Sequence, residues 1–335
     1  MPVGDQLVGG IQRAVFGEVT EDQVTAWLDR HLRRRLGVGV QQVLVRTGRL
    51  AAVYGLRLAD GTEAVAKVHR GTADVGRLAA AVACQRILAD AGYPCPRPLD
   101  GPVAAGPGVV VVESWLDRGE VADAHRPAIR RSMVQALAQQ LELLRVVPAA
   151  TSPLADPPAW VEYQAGPWPV PHDPIFDFTV TPAGFEWLDR LAQDAAEVLG
   201  PRQQPQVIGH SDWYCGNLRF VDAVLTAAYD WDSLTAHTEP VLAGVAAGVH
   251  TDGSVQGAAA PTPDEVAAFL ADYDQQRERP FTGAEQAAAA AAATWVMAYN
   301  ARCQLHNQTL GHPVGEGSFL HMLARHRKDY LRLLW

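Results

Sequence analysis

Lysine is almost missing from this sequence. Of its 28 basic residues only Lys67 and Lys328 are lysines, and the rest are arginines. Heavy use of Ala, Gly and Arg is the mark of a GC-rich coding sequence, which favours Arg over Lys by drift. A Lys that persists under that bias asks for a physical reason. Cysteine is scarce too. The four residues Cys84, Cys95, Cys215 and Cys303 include no pair at metal-ligand spacing and suggest no disulfide framework. There is no excess of positive charge, and a net charge of −9 argues against general nucleic-acid binding. No apolar run is long enough to cross a bilayer. The stretch "AAAAAAATWVMAY", Ala287 to Tyr299, is too short and too weakly hydrophobic. The first residues lack a basic start followed by a long apolar run, so no signal peptide is expected. No internal repeat is present. These absences predict a soluble cytoplasmic protein with neither membrane nor nucleic acid as partner.

What is present is enough apolar residue to build a sizeable core. The chain has 335 residues, 48% hydrophobic and 19% charged, which suits one large domain or two lobes. The charge is unevenly spread. Residues 1–117 carry 13 Lys and Arg against 12 Asp and Glu, and the remainder 15 against 25. An acidic second part would suit a cationic small substrate, or simply serve solubility.

Local signals organise the chain. "TEDQ" at Thr20 is a capping box for a helix to about Leu36, before Gly37. Residues 41–70 read as three antiparallel strands broken at Gly48 and at the Asp60-Gly61 turn. A helix from about Asp74 to Ala91 stops at Gly92, and "GVVVVESWL", residues 108–116, is a buried strand. From Asp123 the pattern turns helical, to about Arg145. Residues 148–180 are rich in Pro and aromatics. Thr181-Pro182 predicts the cap of a helix ending at Gly200, and strands alternating with loops follow. A Gly/Ala-rich loop is expected at 243–260. Capping boxes "TPDE" at Thr262 and "TGAE" at Thr282 then open two helices, and a last helix runs from about Ser318 to Leu334. The expected organisation is α+β: a small lobe over 1–114 and a larger, mostly helical lobe over 115–335.

One constellation carries chemistry. His210-x-Asp212-x-x-x-x-Asn217 follows the apolar strand "QVIG", and Asp230-x-Asp232 closes the strand "LTAAY". Two such strands ending side by side would bring Asp212, Asn217 and Asp230 together. A carboxylate and an amide oxygen suit Mg²⁺, a hard cation that takes oxygen ligands. A second carboxylate beside them can receive a proton. Phosphoryl transfer to a hydroxyl needs those parts and a fixed cation on the phosphates.

The motifs "HSDWYCGN" and "YDWD" resemble the His-Gly-Asp-x-x-x-x-Asn loop and the Ile-Asp-Trp-Asp metal motif of the aminoglycoside phosphotransferase and choline kinase-like family. The resemblance extends upstream to "RTGRLAAVYGLRLADGTEAVAKV", "LADAGYPCPRPL" and "VVVVESWL", and so covers most of residues 41–240. It implies a bilobal protein-kinase-like fold that binds ATP or GTP with Mg²⁺ and phosphorylates a hydroxylated small molecule. By resemblance Asp212 is the catalytic base and His210 braces its loop. Asn217 and Asp230 become metal ligands, with Asp232 steadying the loop or aiding the metal. Lys67 holds the phosphates, where a compact point charge fits better than the fork of Arg. Gly48 lies in the hairpin that covers the nucleotide, and backbone groups from Glu113 to Trp115 meet the base. The family's acceptors include antibiotics and metabolites, and antibiotic inactivation is the first expectation here. A sugar or amino-alcohol kinase is the second, and an inactive nucleotide-binding regulator the third.

Two departures stand out. The helix before Gly92 usually carries a Glu that pairs with the Lys. Here Ala81 stands near the expected place and Gln85 is the nearest polar residue, so either Gln85 substitutes or Lys67 lacks a carboxylate partner. The hairpin "RTGRL" also has a single Gly. Elsewhere, Trp213 and Tyr214 either stack on an acceptor or pack the loop on the core. Trp160, Tyr163, Trp168, Phe176 and Phe178 form a lid or a packing segment, with the lid preferred. Asp173, Asp177 and Glu239 are candidates to meet an amine on the acceptor.

Overall fold

Small and branched residues at every second position build the centre of a five-stranded antiparallel sheet. The computed structural model describes residues 9–166, 168–201, 205–252 and 259–333. The chain divides into two units, Met1–Asp117 and Arg118–Trp335. The first opens with α1 (Gly10–Phe16) and α2 (Glu21–Leu36), the latter closed by a reciprocal Thr20–Gln23 capping box. Strands β1 (Val40–Thr47), β2 (Ala51–Leu58) and β3 (Glu63–Arg70) follow, then α3 (Val75–Asp90), β4 (Pro98–Ala105) and β5 (Gly108–Ser114). The sheet order is β1-β2-β3-β5-β4, with every neighbouring pair antiparallel. Sequence reasoning missed α1 and β4. Pro98 masks β4, but the strand lies at the sheet edge and begins at that Pro, where a missing N–H is tolerated.

Strand alternation gives this sheet two different faces. Ala52, Tyr54 and Leu56 of β2, Ala64, Ala66 and Val68 of β3, and Val110 and Val112 of β5 join the core under α1 and α2. The alternate residues therefore share the opposite face. The register aligns Val53 with Lys67, Gly55 with Val65, Lys67 with Val111 and Val65 with Glu113. Lys67 and Glu113 thus sit on one face of the sheet.

The second unit is mostly helical. Helices α4 (Pro127–Leu144) and α5 (Glu186–Leu199) precede four short strands, β6 (Val207–His210), β7 (Leu218–Val221), β8 (Val224–Ala228) and β9 (Leu234–His237). Then come α6 (Glu239–Val249), α7 (Pro263–Asp274), α8 (Gly283–Thr309) and α9 (Phe319–Tyr330). The capping boxes at Thr262 and Thr282 both form as expected. The expected cap at Thr181 does not. Gly184 turns in the left-handed region (φ 89°), so the helix starts only at Glu186, and the Thr181 hydroxyl donates to Asp189 Oδ1 at 2.9 Å instead. The last helix ends at Tyr330; residue 334, its expected end, lies outside the described residues.

The loop expected at 243–260 is replaced over its first part by α6, a helix buried along nearly its whole length. Residues 253–258 lie outside the described residues. Gly244 and Gly248 read as helix breakers, yet they serve packing. A Cβ on Gly244 would come within 2.1 Å of the Ala289 carbonyl oxygen, and one on Gly248 within 2.7 Å of that of Ala293. The Gly spacing on α6 thus meets the Ala run on α8, and two backbones approach closely without side chains between them. Gly244→Ala is expected to lower the unfolding free energy by about 1–3 kcal/mol through overpacking. Denaturant unfolding measures it, with Gly283→Ala as control, where nothing lies within 4 Å of the added carbon. Equal losses at both positions would contradict the close approach.

Candidate active site

Asp212 lies two residues beyond β6, and Asp230 stands two residues after β8. The two strands end beside each other without pairing: β6 pairs with β9 and β7 with β8, and His210 at the end of β6 lies 2.9 Å from the Tyr229 carbonyl just after β8. The turns between the strands bring the motifs together. The Tyr229 N–H donates to the Asn217 carbonyl at 2.9 Å, and the Ser211 N–H to the Ser233 carbonyl at 3.1 Å. Asp230 itself takes a left-handed backbone (φ 66°, ψ 44°) at the head of a 3-10 turn, Trp231–Ser233. Asp tolerates that region better than most residues because its short polar side chain bonds locally. Here its Oδ2 accepts from the Ser233 hydroxyl at 3.1 Å.

His210 clamps the two motifs. It is fully buried, with Trp213 and Trp231 edge-on to its ring. Its Nδ1 accepts the Asp212 N–H at 3.1 Å, and its Nε2 lies 2.9 Å from the Tyr229 carbonyl, to which it donates. That pattern assigns the neutral tautomer with its proton on Nε2. With both nitrogens committed and no exposure, His210 positions Asp212 and has no proton to trade with a substrate. This is the bracing of the loop that the resemblance implied for His210.

Asp212 and Asn217 are half-buried. The Asn217 amide donates to both the Asp212 carbonyl and the Asp212 Oδ2, each at 3.0 Å. Two acceptors on Nδ2 fix the amide orientation and turn the amide oxygen away from Asp212. A half-buried carboxylate at Asp230 and an amide oxygen at Asn217 are hard donors that fit Mg²⁺, with phosphate oxygens and water completing its shell. Asp232 is half-buried on the same 3-10 turn. Among the described residues no group of three or more His, Cys, Asp or Glu could hold a metal ion. The candidate set here is of another kind, two carboxylates and an amide.

Several supports were not legible in the sequence. The Trp160 indole donates to both the carbonyl and the hydroxyl of Ser211 at 3.1 Å, holding the residue before Asp212. The Trp213 indole is fully buried and donates to the Met133 carbonyl at 3.1 Å. Trp213 therefore packs the loop onto α4 and does not stack on an acceptor. Tyr214 folds over Gly216, where an added Cβ would lie 2.3 Å from its ring. Burial pushes the Cys215 thiol up to about 11, with Asp252 and Asp123 adding to the effect, so it stays protonated near neutral pH.

The preferred lid reading of the aromatic segment is corrected as well. Phe178 packs on Tyr299 and Cys303 of α8, with Trp160, Trp168 and Phe176 against the same cluster. Tyr163 is buried and its hydroxyl lies 3.0 Å from His237 Nε2. The segment is a wall of the second unit. Its acids are also engaged. Asp177 accepts from the Thr179 N–H and hydroxyl, and Asp173 from the Ile175 N–H. Glu239 meets Arg145, Arg277 and the Tyr273 hydroxyl.

In the first unit, Lys67 is buried in β3, and its Nζ lies 3.2 Å from Glu113 Oε1. Neither sequence expectation for this Lys holds: it has a carboxylate partner, and that partner is on β5. The Glu113 side chain is thus committed to Lys67. Two of the backbone groups expected to meet a base are committed too. The Ser114 N–H donates to the Arg97 carbonyl at 2.8 Å and the Trp115 N–H to the Glu63 carbonyl at 3.2 Å. The Trp115 ring lies against the backbone of β2, where a Cβ on Gly55 would come within 1.6 Å of it. Gly55 aligns with Val65 on the Lys67 face, so Trp115 lies on that face too. Gly48 turns the β1–β2 hairpin at φ 119°, where a Cβ would strike the Ala51 carbonyl oxygen at 1.9 Å.

A five-stranded sheet with a buried Lys at its centre, followed by a helical unit carrying a His-Asp-Asn loop and an Asp-Trp-Asp turn, defines a protein-kinase-like phosphotransferase. The chain belongs to the phosphotransferase enzyme family, whose model matches residues 41–238. No curated protein sequence matches it significantly. Among solved structures, an amicoumacin kinase, hAmiN, in complex with AMP-PNP, Ca²⁺ and Ami is similar. Its TM-score is 0.60 at 12% identity, over 93% of this chain and 96% of that one. The choline kinase LicA from Streptococcus pneumoniae is similar with a TM-score of 0.56 at 10% identity, over 92% and 99% of the two chains. Macrolide 2'-phosphotransferase MphH from Brachybacterium faecium is similar with a TM-score of 0.52 at 18% identity, over 92% and 97%. At such identities these likenesses speak for the fold. Among the described residues no helix is long and apolar enough to cross a membrane.

Proposed function

We propose that the protein is a Mg²⁺-dependent kinase that moves the γ-phosphate of ATP or GTP to a hydroxyl of a small molecule. The observation that supports this best is the cross-linked pair of motifs. Asn217 ties down the Asp212 carboxylate, and His210 ties the Asp212 N–H to the residue before Asp230. In this reading Asp212 accepts the proton of the acceptor hydroxyl as the phosphoryl group moves in line. Asn217 and Asp230 hold the metal, with Asp232 as an aid, and Lys67 contacts the phosphates. The metal, when bound, offsets the charge of the phosphates. Trp115 contributes a flat apolar surface for the base. Nucleoside triphosphates as donor fit a cytoplasmic enzyme.

The acceptor is proposed to be an antibiotic, which the enzyme would inactivate. The fold is shared with proteins whose names specify amicoumacin and macrolides, and the Arg-rich coding bias suits an antibiotic producer. The fold is also shared with a choline kinase, which favours a metabolic kinase for an amino alcohol or amino sugar as the second reading. The regulator reading loses its main support, because Lys67 does have a carboxylate partner.

The test is a screen of hydroxylated antibiotics, amino sugars and amino alcohols with Mg²⁺, following ADP and GDP release. One acceptor class should raise release clearly above the basal rate. Expression in a sensitive host then decides between the readings. Resistance to the matching antibiotic supports the first. No resistance, together with turnover of an amino alcohol or sugar, replaces it by the second.

A further inference from the structure

Lys67 and Glu113 form a buried ion pair, a kind of contact that is weak evidence for a stabilising role. Their side chains are only 10% and 3% exposed, with 3.2 Å between Lys67 Nζ and Glu113 Oε1. Burying two charges costs desolvation that their attraction barely repays, and apolar residues of like volume would hold this strand pair as well. The surrounding residues nonetheless preserve it. Glu113 reaches Lys67 because Val111, directly opposite Lys67, lies two residues before it on the same face of β5. Its second oxygen, Oε2, accepts from Gln85 Nε2 of α3 at 2.9 Å, and the same Gln85 amide also donates to the Pro96 carbonyl at 2.8 Å. Ala81, one turn earlier on α3, is buried and has no polar group to offer.

We propose that Glu113 is the positioning residue for Lys67, a carboxylate supplied by strand β5 where helix α3 supplies only an amide. This rests on the phosphotransferase reading, in which Lys67 contacts the nucleotide phosphates. The side chains at 85 and 113 are complementary. Gln85 donates to the carboxylate. A Glu at 85 beside Glu113 would set two carboxylates at hydrogen-bond distance, and one would have to take up a proton. The site therefore carries one acid, and Gln85 bonds the oxygen that Lys67 leaves. Fixed at both oxygens, the carboxylate holds the ammonium in one place before any phosphate arrives, which is what an electrostatic clamp on phosphate needs.

The experiment compares basal Mg·ATP and Mg·GTP hydrolysis by the full-length protein, as kcat/KM, across four proteins besides the wild type. Glu113→Gln should reduce kcat/KM at least about tenfold, the size expected of a lost charged hydrogen bond. The exchange Gln85→Glu with Glu113→Gln returns one acid and one amide to the site with the acid now on the helix. It should not recover the loss, because a carboxylate at 85 has no proton for the Pro96 carbonyl and does not replace the oxygen that faces Lys67. In a Lys67→Ala background, Glu113→Gln should add less than about twofold, because it acts through the Lys. That double variant leaves no lone buried charge, so it remains informative if Glu113→Gln alone folds poorly by circular dichroism. Glu113→Gln equal to wild type, an exchange variant back at the wild-type kcat/KM, or full additivity with Lys67→Ala would each overturn the proposal while the kinase reading stands. A wild type that hydrolyses neither nucleotide and binds neither mant-ATP nor mant-GTP would overturn the kinase reading, and this proposal with it.

Discussion

Asp212→Ala is expected to abolish phosphate transfer while nucleotide binding persists. The loss in kcat should be about 10²–10⁴-fold, the range for removing a general base. The affinity for mant-nucleotide with Mg²⁺ should stay within about twofold, because the base touches the acceptor and not the donor. The structure explains why so clean a separation is expected. The loop around Asp212 is held by groups that the substitution keeps. Its N–H still reaches His210 Nδ1, and its carbonyl still accepts from Asn217 Nδ2. Ser211 stays tied to Trp160 and to the Ser233 carbonyl. The bond from Asn217 to the carboxylate is lost. Rapid-quench kinetics on the acceptor found in the screen, beside a mant-nucleotide titration, measures both quantities. Intact turnover would remove Asp212 from the mechanism.

The second large effect is expected at Asp230. Asp230→Asn should raise the Mg²⁺ concentration for half-maximal turnover at least about a hundredfold, beyond what losing a supporting partner of a metal ligand costs. Asn is the sharper test than Ala. It tolerates the left-handed backbone at φ 66° and can keep a bond to the Ser233 hydroxyl, so the fold survives and only the charge goes. A metal titration of turnover gives the number, and chelation of the metal from the wild type should stop turnover outright. An unchanged Mg²⁺ dependence in Asp230→Asn would place the metal elsewhere.

The readable features of this chain were those that neighbouring residues decide. Capping boxes at Thr20, Thr262 and Thr282 need only their own N3 residue, and each forms as expected. The three strands over residues 41–70 follow from β-branched runs, the break at Gly48 and the Asp60-Gly61 turn. What escaped reading depends on partners far along the chain. Gly244 and Gly248 look like loop residues until α8 arrives to pack on them. Pro98 looks like a strand breaker until β4 proves to be an edge.

The site divides in the same way. Asp212, Asn217 and Asp230 were visible as a spacing of acid and amide side chains after apolar strands. Their brace at His210 came with the motif, but the partners it uses did not. Nothing local reveals that both its nitrogens are taken, one of them by the carbonyl of Tyr229, nineteen positions away. Trp160 and Ser211 meet across 51 positions. The pairing of Lys67 escaped for a different reason. Its partner was sought one helix turn from the usual place on α3, while the register of β3 against β5 had put an acid two residues past the residue opposite Lys67.

The account rests most on the sharing of one site by a nucleotide-bound divalent ion and the proton-accepting carboxylate. A crystal structure of the protein with Mg²⁺ and AMP-PNP or GMP-PNP tests this directly. The prediction is an ion touching the Asp230 carboxylate and the Asn217 amide oxygen, with the Asp212 carboxylate beside the terminal phosphate but off the metal, and the Lys67 ammonium on the phosphates. An ion held by other residues, or phosphates bound away from Asp212 and Asp230, would contradict it.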